Sequence, residues 1–238
     1  MKILAIDTAT ENCSAALFIN GQLSMREALL GRGHAERILP MVEELLRAAD
    51  VALRALSAVA FGRGPGAFTG VRLAASVTQG LAFGAGLPVV PISDLRALAQ
   101  RVLDDEPAAD RVLVCNDARM HEVYSGTFER GAAGHAVAVG AECVGKPELV
   151  PLPPQWSAPS GAALFAAGTG FAAYPQLRAI AAAVRGIREG LWPRAAEIAR
   201  LAAPEVEAGR VFTAAEALPV YLRDNVAQVP KGTSKSLI

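Results

Sequence analysis

The dipeptide Asn20-Gly21 restricts the possible folds of this 238-residue chain more than any other short feature. It joins two runs of β-forming residues, 13–19 and 22–29, and Asn-Gly between such runs is the strongest short-range signal for a two-residue β-hairpin. A third run, 2–9, precedes them. The chain is therefore predicted to begin with three strands, of which the last two are antiparallel.

Helical and strand patterns alternate after this hairpin. Apolar residues recur at helical spacing from Ala35 to Ala49, and a strand at 56–61, a helix at about 71–83 and a strand at 88–92 follow. An antiparallel start followed by crossover helices predicts a mixed sheet rather than a purely parallel one. The order resembles one half of the actin/Hsp70/sugar-kinase architecture, which is ribonuclease-H-like.

The pattern restarts with a strand at 111–116, after the acidic segment 104–107. We therefore predict a two-lobed α/β fold of the actin/Hsp70/sugar-kinase type, in which each lobe is a ribonuclease-H-like mixed sheet with helices. The predicted domains are residues 1–103 and residues 104–238, and we expect the tail from residue 231 onwards to be disordered.

Charge and cysteine content argue against several classes of protein. The 23 basic and 23 acidic residues cancel, so no net positive field attracts RNA or an anionic membrane. The uncharged run 73–93 contains three glycines and two prolines, which favours a helix and a strand over a membrane span. The three cysteines have no CxxC spacing, so neither a disulfide framework nor a zinc site is predicted. We expect a soluble cytoplasmic protein.

A glycine-rich segment, GRGPGAFTGVR at 62–72, connects the predicted strand 56–61 to the helix that follows. Such a loop can hold a phosphate, because its N–H groups and the helix N-terminus both attract anions. The candidate phosphate ligands are Gly64, Gly66, Thr69 and Gly70. Glycines are equally required by a tight strand-to-helix turn with close packing above it, and we favour this structural role.

Asp7 lies at the end of the first predicted strand, where actin-fold enzymes place an acid near the metal of a nucleotide. Thr8 and Thr10 are beside it and complete a possible phosphate loop. An aspartate that caps its own turn through backbone N–H groups would give the same pattern. The sequence leaves both roles open.

Six segments together resemble the TsaB (YeaZ) family, over nearly the whole chain. In chain order they are KILAIDTATENCSAALF, GRGHAERILPMVEELL, the glycine loop with its helix and the following PISDLRALA, DARMHEVYSG, GTG and ALPVYLRD. TsaB belongs to the bacterial machinery that makes threonylcarbamoyl-adenosine in tRNA, and it resembles its own catalytic partner, TsaD. The glycine loop with its helix is the most specific of these segments.

The resemblance implies a non-catalytic subunit that binds and activates TsaD and works with the ATPase TsaE. It implies no catalytic residue, no tightly bound cofactor, and at most weak ATP or ADP binding. It also implies contact with tRNA only through the complex, and a homodimer when the chain is alone.

TsaD binds its catalytic metal with two histidines in HxxxH spacing, after the strand that follows the glycine-loop helix. By alignment with this segment, those histidines fall at Asp94 and Leu98. Leucine has no ligand atom, and catalytic metal sites usually draw on three protein ligands. The resemblance therefore implies that no metal binds here.

Two helices carry more apolar or small residues than a single contact requires, and the family pairs through such helices. We therefore expect a partner interface on these residues. It comprises Leu39, Val42, Leu46, Ala74, Ser76, Thr78 and Gly80.

Two other functions remain open at this point. The chain could be an actin-fold enzyme in its own right, either a small-molecule kinase or a metallopeptidase. It could also be a homodimeric binding module that has no enzymatic partner.

Overall fold

The computed structural model describes residues 1–156, 161–180 and 184–223. The first sheet has the strand order β3-β2-β1-β4-β5. Its strands are β1 (Lys2–Asp7), β2 (Asn12–Ile19), β3 (Gln22–Leu29), β4 (Ala58–Gly62) and β5 (Val89–Ile92). β1 pairs antiparallel with β2 and parallel with β4, which confirms the mixed sheet.

The predicted hairpin joins β2 to β3. Asn20 and Gly21 both have positive φ, at 48° and 91°, as a two-residue turn between twisted strands requires. Helix α1 (His34–Ala48) follows β3, and helix α2 (Phe68–Ala85) follows β4. Both helices pack on one face of the sheet, where Ile38, Leu45 and Ala74 meet Ile6 and Phe61 in a buried cluster.

The second sheet repeats the first. Its order is β11-β10-β6-β7-β8, with β9 also paired to β7. The strands are β6 (Arg111–Asp117), β7 (Val123–Arg130), β8 (Ala136–Ala138), β9 (Cys143–Gly145), β10 (Leu164–Ala167) and β11 (Gly186–Arg188). β6 is antiparallel to β7 and parallel to β10, as β1 is to β2 and β4. The predicted two-lobed fold is confirmed.

Four further helices complete the described chain. They are α3 (Asp94–Asp105), α4 (Gly170–Ala173), α5 (Leu177–Ile180) and α6 (Ala195–Glu207). None of the helices in the described ranges is long and apolar enough to cross a membrane. The uncharged run 73–93 divides between α2 and β5, as expected.

Helices α3 and α6 each cover the sheet of the other half of the chain. Leu98 of α3 is buried with Val112 and Phe128 of the second sheet. Ile198 of α6 is buried with Ile3 of the first sheet, and the Ala195 N–H donates to Ser14 Oγ of β2 at 2.9 Å. A boundary at residue 103 therefore separates the two sheets. It does not separate the helices packed on them, because α3 and α6 each cover the sheet of the other half of the chain. The tail from residue 231 lies outside the described residues.

Because α3 and α6 cover opposite sheets, shortening a core side chain of either helix should destabilise a different sheet. Ile198→Ala removes a fully buried side chain at a cost of roughly 2–5 kcal/mol, and we expect faster amide exchange in β1 and β4 than in β6 and β7. Leu98→Ala is the matched variant and should have the opposite effect. Native-state hydrogen exchange measures both. Equal acceleration in the two sheets by either variant would contradict the exchange.

Candidate functional site

A cleft of about 800 Å³ lies between the two lobes. The first lobe lines it with residues 8–11, 30–36 and 65–71. The second lobe contributes residues 116–119 and Thr169, and the segment 220–223 closes one side. Five of the seven predicted phosphate ligands line the cleft, namely Thr8, Thr10, Gly66, Thr69 and Gly70, whereas Asp7 and Gly64 are not among its lining residues.

The glycine loop packs directly on the turn that follows β1. A Cβ on Gly66 would lie 2.4 Å from the Ala9 carbonyl oxygen, and a Cβ on Gly70 would lie 2.1 Å from that of Thr8. The Ala67 N–H donates to the Ala9 carbonyl at 2.7 Å, and Thr8 Oγ1 donates to the Gly70 carbonyl at 2.7 Å. Only glycine allows this approach, so the contacts favour the structural role of the loop.

Asp7 and Asp94 form a buried carboxyl pair behind the cleft. Both are fully buried, and each affects the pKa of the other. Asp7 Oδ1 accepts the Ala9 N–H at 2.8 Å, and Asp94 Oδ2 accepts the Gly64 N–H at 2.5 Å. Asp7 thus caps the turn after β1, and Asp94 fixes the glycine loop.

The pair has space only because position 62 is glycine. A Cβ there would lie 2.4 Å from Asp94 Oδ1 and 2.9 Å from Asp7 Oδ1. In the described part of the chain, no group donates to Asp7 Oδ2 or Asp94 Oδ1. Two buried charges on neighbouring carboxyl groups repel each other, so the site favours a pair in which one carboxyl keeps its proton.

Burial is the main cause of the pKa shifts in this pair. It raises the pKa of Asp7 from 3.8 to about 6, although the Ala9 N–H opposes the shift. Burial, followed by the charge of Asp7, holds the pKa of Asp94 well above its ordinary value. A proton shared between two close carboxyl groups is the expected result.

The position at which alignment places the TsaD histidines does not fit a metal. Leu98 is fully buried in the core beside Val112 and Phe128, and Asp94 is committed to Gly64 and Asp7. Over residues 1–156, 161–180 and 184–223, no three His, Cys, Asp or Glu side chains gather as ligands.

The second lobe contributes a matching loop whose role the sequence did not reveal. A Cβ on Gly168 would lie 2.4 Å from the Cys115 carbonyl oxygen, so this glycine also allows close packing. The Asp117 N–H donates to Thr169 Oγ1 at 3.0 Å, and Tyr174 donates to Asp117 Oδ1 at 2.8 Å. The motifs DAR and GTG were visible, but their contact depends on the pairing of β6 with β10.

Arg119 and the segment 217–223 connect the two lobes beside the cleft. Arg119 pairs with Glu11 at 3.1 Å on the rim of the cleft. The segment 217–223, which we call the strap, joins the first lobe through the Val220 N–H, which donates to the Arg63 carbonyl at 2.7 Å. Arg223 at its end donates to the Ala118 carbonyl at 3.1 Å and pairs with Glu122 at 2.5 Å in the second lobe.

The predicted interface residues divide into buried and exposed sets. Leu39 is 48% exposed, and Ser76 and Gly80 are exposed on α2. In contrast to the expectation, Val42, Ala74 and Thr78 are buried within the first lobe, and Leu46 is half-buried against its core. The helical spacing identified the apolar stripes of α1 and α2 correctly. Part of each stripe packs on the sheet of the first lobe, and only the rest is exposed.

The carboxyl pair predicts how stability depends on pH. The folded chain retains protons that the unfolded chain releases above about pH 4, so the free energy of unfolding should fall as the pH rises through 6 and fall further as Asp94 ionises. Asp94→Asn keeps an acceptor for Gly64 and a donor for Asp7 without the second charge. We expect a flatter pH dependence for this variant in urea denaturation.

Asp105→Asn, at an exposed acid on the same helix, serves as the control and should keep the wild-type slope. The explanation fails if Asp94→Asn also keeps that slope.

Comparison with known proteins identifies the family. The family model described as TsaD: tRNA N6-adenosine threonylcarbamoyltransferase matches residues 28–231. A relative from Escherichia coli (strain K12), tRNA threonylcarbamoyladenosine biosynthesis protein TsaB, is 40% identical over 232 residues, which are 95% of this chain and 96% of the relative. The protein of that name from Haemophilus influenzae is 39% identical, over 95% of both chains.

The solved structure of YeaZ from Pseudomonas aeruginosa is 43% identical, with a TM-score of 0.84 over 93% of this chain and 99% of that chain. The chain belongs to the TsaB (YeaZ) family and shares the domain that the TsaD family model describes.

Proposed function

We propose that the chain is a non-catalytic subunit in the biosynthesis of threonylcarbamoyladenosine in tRNA. It binds and activates a TsaD-like catalytic subunit and works with a TsaE-like ATPase. It acts in the cytoplasm and meets tRNA only through the complex, in keeping with its zero formal charge. The names of its Escherichia coli and Haemophilus influenzae relatives support this assignment of pathway.

The burial of Asp94 and Leu98 is the observation that carries the non-catalytic assignment. These residues stand where TsaD, by resemblance, has its metal-binding histidines, and both are fully buried. Leu98 fills the core of the second lobe, and Asp94 holds the glycine loop. Side chains engaged in this way stabilise the fold, and their burial keeps them away from a substrate in the cleft.

The cleft is the place where the alternative enzyme, an actin-fold kinase, would bind its nucleotide. Asp7, the acid expected near the metal of that nucleotide, is buried and caps the β1 turn. Thr8 donates its hydroxyl proton to Gly70, and Ala67 donates its N–H to Ala9. We therefore propose no more than weak binding of ATP or ADP in the cleft.

The exposed side of α2 is the proposed docking face for the TsaD-like subunit, together with Leu39 of α1. Gly80 and Gly84 lie four residues apart on it, and a Cβ on either would meet nothing within 4 Å. Glycine within a helix costs roughly 0.5–1 kcal/mol relative to alanine. No contact within the described chain requires these glycines, whereas a closely packed partner helix would. We propose that the same face joins two copies when the chain is alone.

Replacing both glycines should stabilise the free chain and weaken its association with the TsaD-like subunit. In Gly80→Ala with Gly84→Ala, the added methyl groups fit the free chain, and we expect its free energy of unfolding to rise by about 1–2 kcal/mol. The same groups should weaken association with the TsaD-like subunit, because they hold a partner backbone away. Urea denaturation and calorimetry measure the two effects.

Gly145→Ala is a control in β9 of the second lobe, where a Cβ also meets nothing within 4 Å. It should leave pairing unchanged. Unchanged pairing in the double α2 variant as well would remove this face from the proposal.

Reconstituted transfer tests the function itself. With threonylcarbamoyl-adenylate and tRNA, we expect no modified adenosine from this chain alone, little from the TsaD-like and TsaE-like proteins without it, and repeated turnover from all three. Mass spectrometry of digested tRNA measures the product. Transfer by the chain alone, or full activity without it, would contradict the proposal, and ATP-dependent phosphorylation of a small molecule by the chain alone would favour the kinase.

A further inference from the structure

Arg72 is held in a fixed position on the exposed side of α2. Its guanidinium carbon lies 3.5 Å from the ring centroid of Phe68 and 5.5 Å from that of Tyr221. Its Nε–H donates to the Tyr221 hydroxyl at 2.7 Å. The two rings contact each other with centroids 5.7 Å apart, so the guanidinium group rests on a paired aromatic surface.

The strap keeps this cluster in place. Tyr221 follows Val220, whose N–H is bonded to the Arg63 carbonyl, and Gln79 of α2 donates to the Ala217 carbonyl at 3.2 Å. Phe68 and Arg72 lie one helical turn apart on α2. The cluster therefore joins two elements that are both anchored to the first lobe, and the rotamer of Arg72 is restricted before any partner arrives.

The ends of the guanidinium group have no partner in the part of the chain that the structure describes. There, no carboxylate lies within salt-bridge distance of Arg72, and neither Nη atom has a hydrogen-bond acceptor, although thirteen other ion pairs form. A planar guanidinium group with free Nη donors matches a carboxylate, which can accept two parallel hydrogen bonds.

Arg72 also belongs to the docking face. Phe68, Arg72, Ser76, Gly80 and Gly84 are all exposed and follow one another at four-residue intervals, so each lies beside the next in a ridge that winds slowly around α2. Two helices pack by placing such inclined ridges into each other's grooves. A partner helix that packs along this ridge would pass from the glycines to the guanidinium group.

We propose that Arg72 is a specificity-determining residue that binds an acidic side chain of the TsaD-like subunit through two hydrogen bonds. The inference rests on the proposed function, since it assigns a role within the same docking face. A protein carboxylate fits better than an RNA phosphate, because the rest of the ridge is apolar or small. Sites that bind nucleic acid gather several basic side chains.

Titration calorimetry with the TsaD-like subunit tests this inference, using Arg72→Gln and Arg72→Lys. Loss of hydrogen bonds to a charged group should weaken binding roughly tenfold to hundredfold in Arg72→Gln. Arg72→Lys should recover little, because an ammonium group provides neither the planar fork nor the stacking. Lys146→Gln removes one positive charge at an exposed site of the second lobe and should bind as wild type.

The Arg72 variants should keep the wild-type melting temperature, because Arg72 lies on the surface. A change in affinity then reports on the interface alone. Wild-type affinity in Arg72→Gln or in Arg72→Lys would overturn the inference alone. A variant that still pairs with the TsaD-like subunit, but whose complex no longer binds tRNA, would also overturn the inference. It would show that Arg72 binds RNA instead. A wild-type chain that does not bind the TsaD-like subunit would overturn the proposed function and the inference with it. If one acid-to-arginine substitution in the TsaD-like subunit restores binding of the Arg72→Glu variant, that acid is the carboxylate that Arg72 binds.

Discussion

The buried carboxyl pair of Asp7 and Asp94 is the feature on which the cleft side of the molecule depends. Asp7 ends β1, Asp94 begins α3, and Gly62 at the end of β4 leaves the space in which they meet. Through Gly64 and Ala9 the pair also fixes the glycine loop and the turn below it. Two buried charges at this distance would repel each other, whereas one charge and one proton attract. Four chain segments thus meet at a buried carboxyl pair whose raised pKa values favour retention of a proton.

This arrangement explains how a loop that resembles a phosphate site can serve another purpose. Its glycines bring the loop against residues 8 and 9, and the N–H groups of Gly64 and Ala67 and the Gly70 carbonyl are bonded within the protein. The rigid loop then starts α2, whose outer side carries the features that the fold does not need. Within residues 1–156, 161–180 and 184–223, these are two helical glycines that no neighbour contacts, an arginine stacked on aromatic rings with no acid beside it, and Phe83, which is 84% exposed. We infer that the glycine loop serves as the base of a docking helix.

The sequence predicted what depends on neighbouring residues and missed what depends on distant ones. The Asn20-Gly21 turn, the order of strands and the glycine turn follow from local conformational preferences. The carboxyl pair joins positions 87 residues apart, since 94 − 7 = 87, and no local pattern marks Asp94 as a partner of Asp7. The exchange of α3 and α6 was missed for the same reason, since an apolar stripe does not show which sheet covers it. Val42 and Thr78 were assigned to the interface because spacing alone cannot distinguish the inner stripe from the outer one.

The central claim is that the outer side of α2, and not the cleft, is the functional surface. Hydrogen exchange of the chain, free and bound to the TsaD-like subunit, measures this directly. The account predicts slower exchange on binding in the parts of α1 and α2 that do not line the cleft, at 37–48 and 74–85, with little change at the cleft residues 8–11, 116–119 and 169. Slower exchange confined to the cleft, with α2 unaffected, would contradict it.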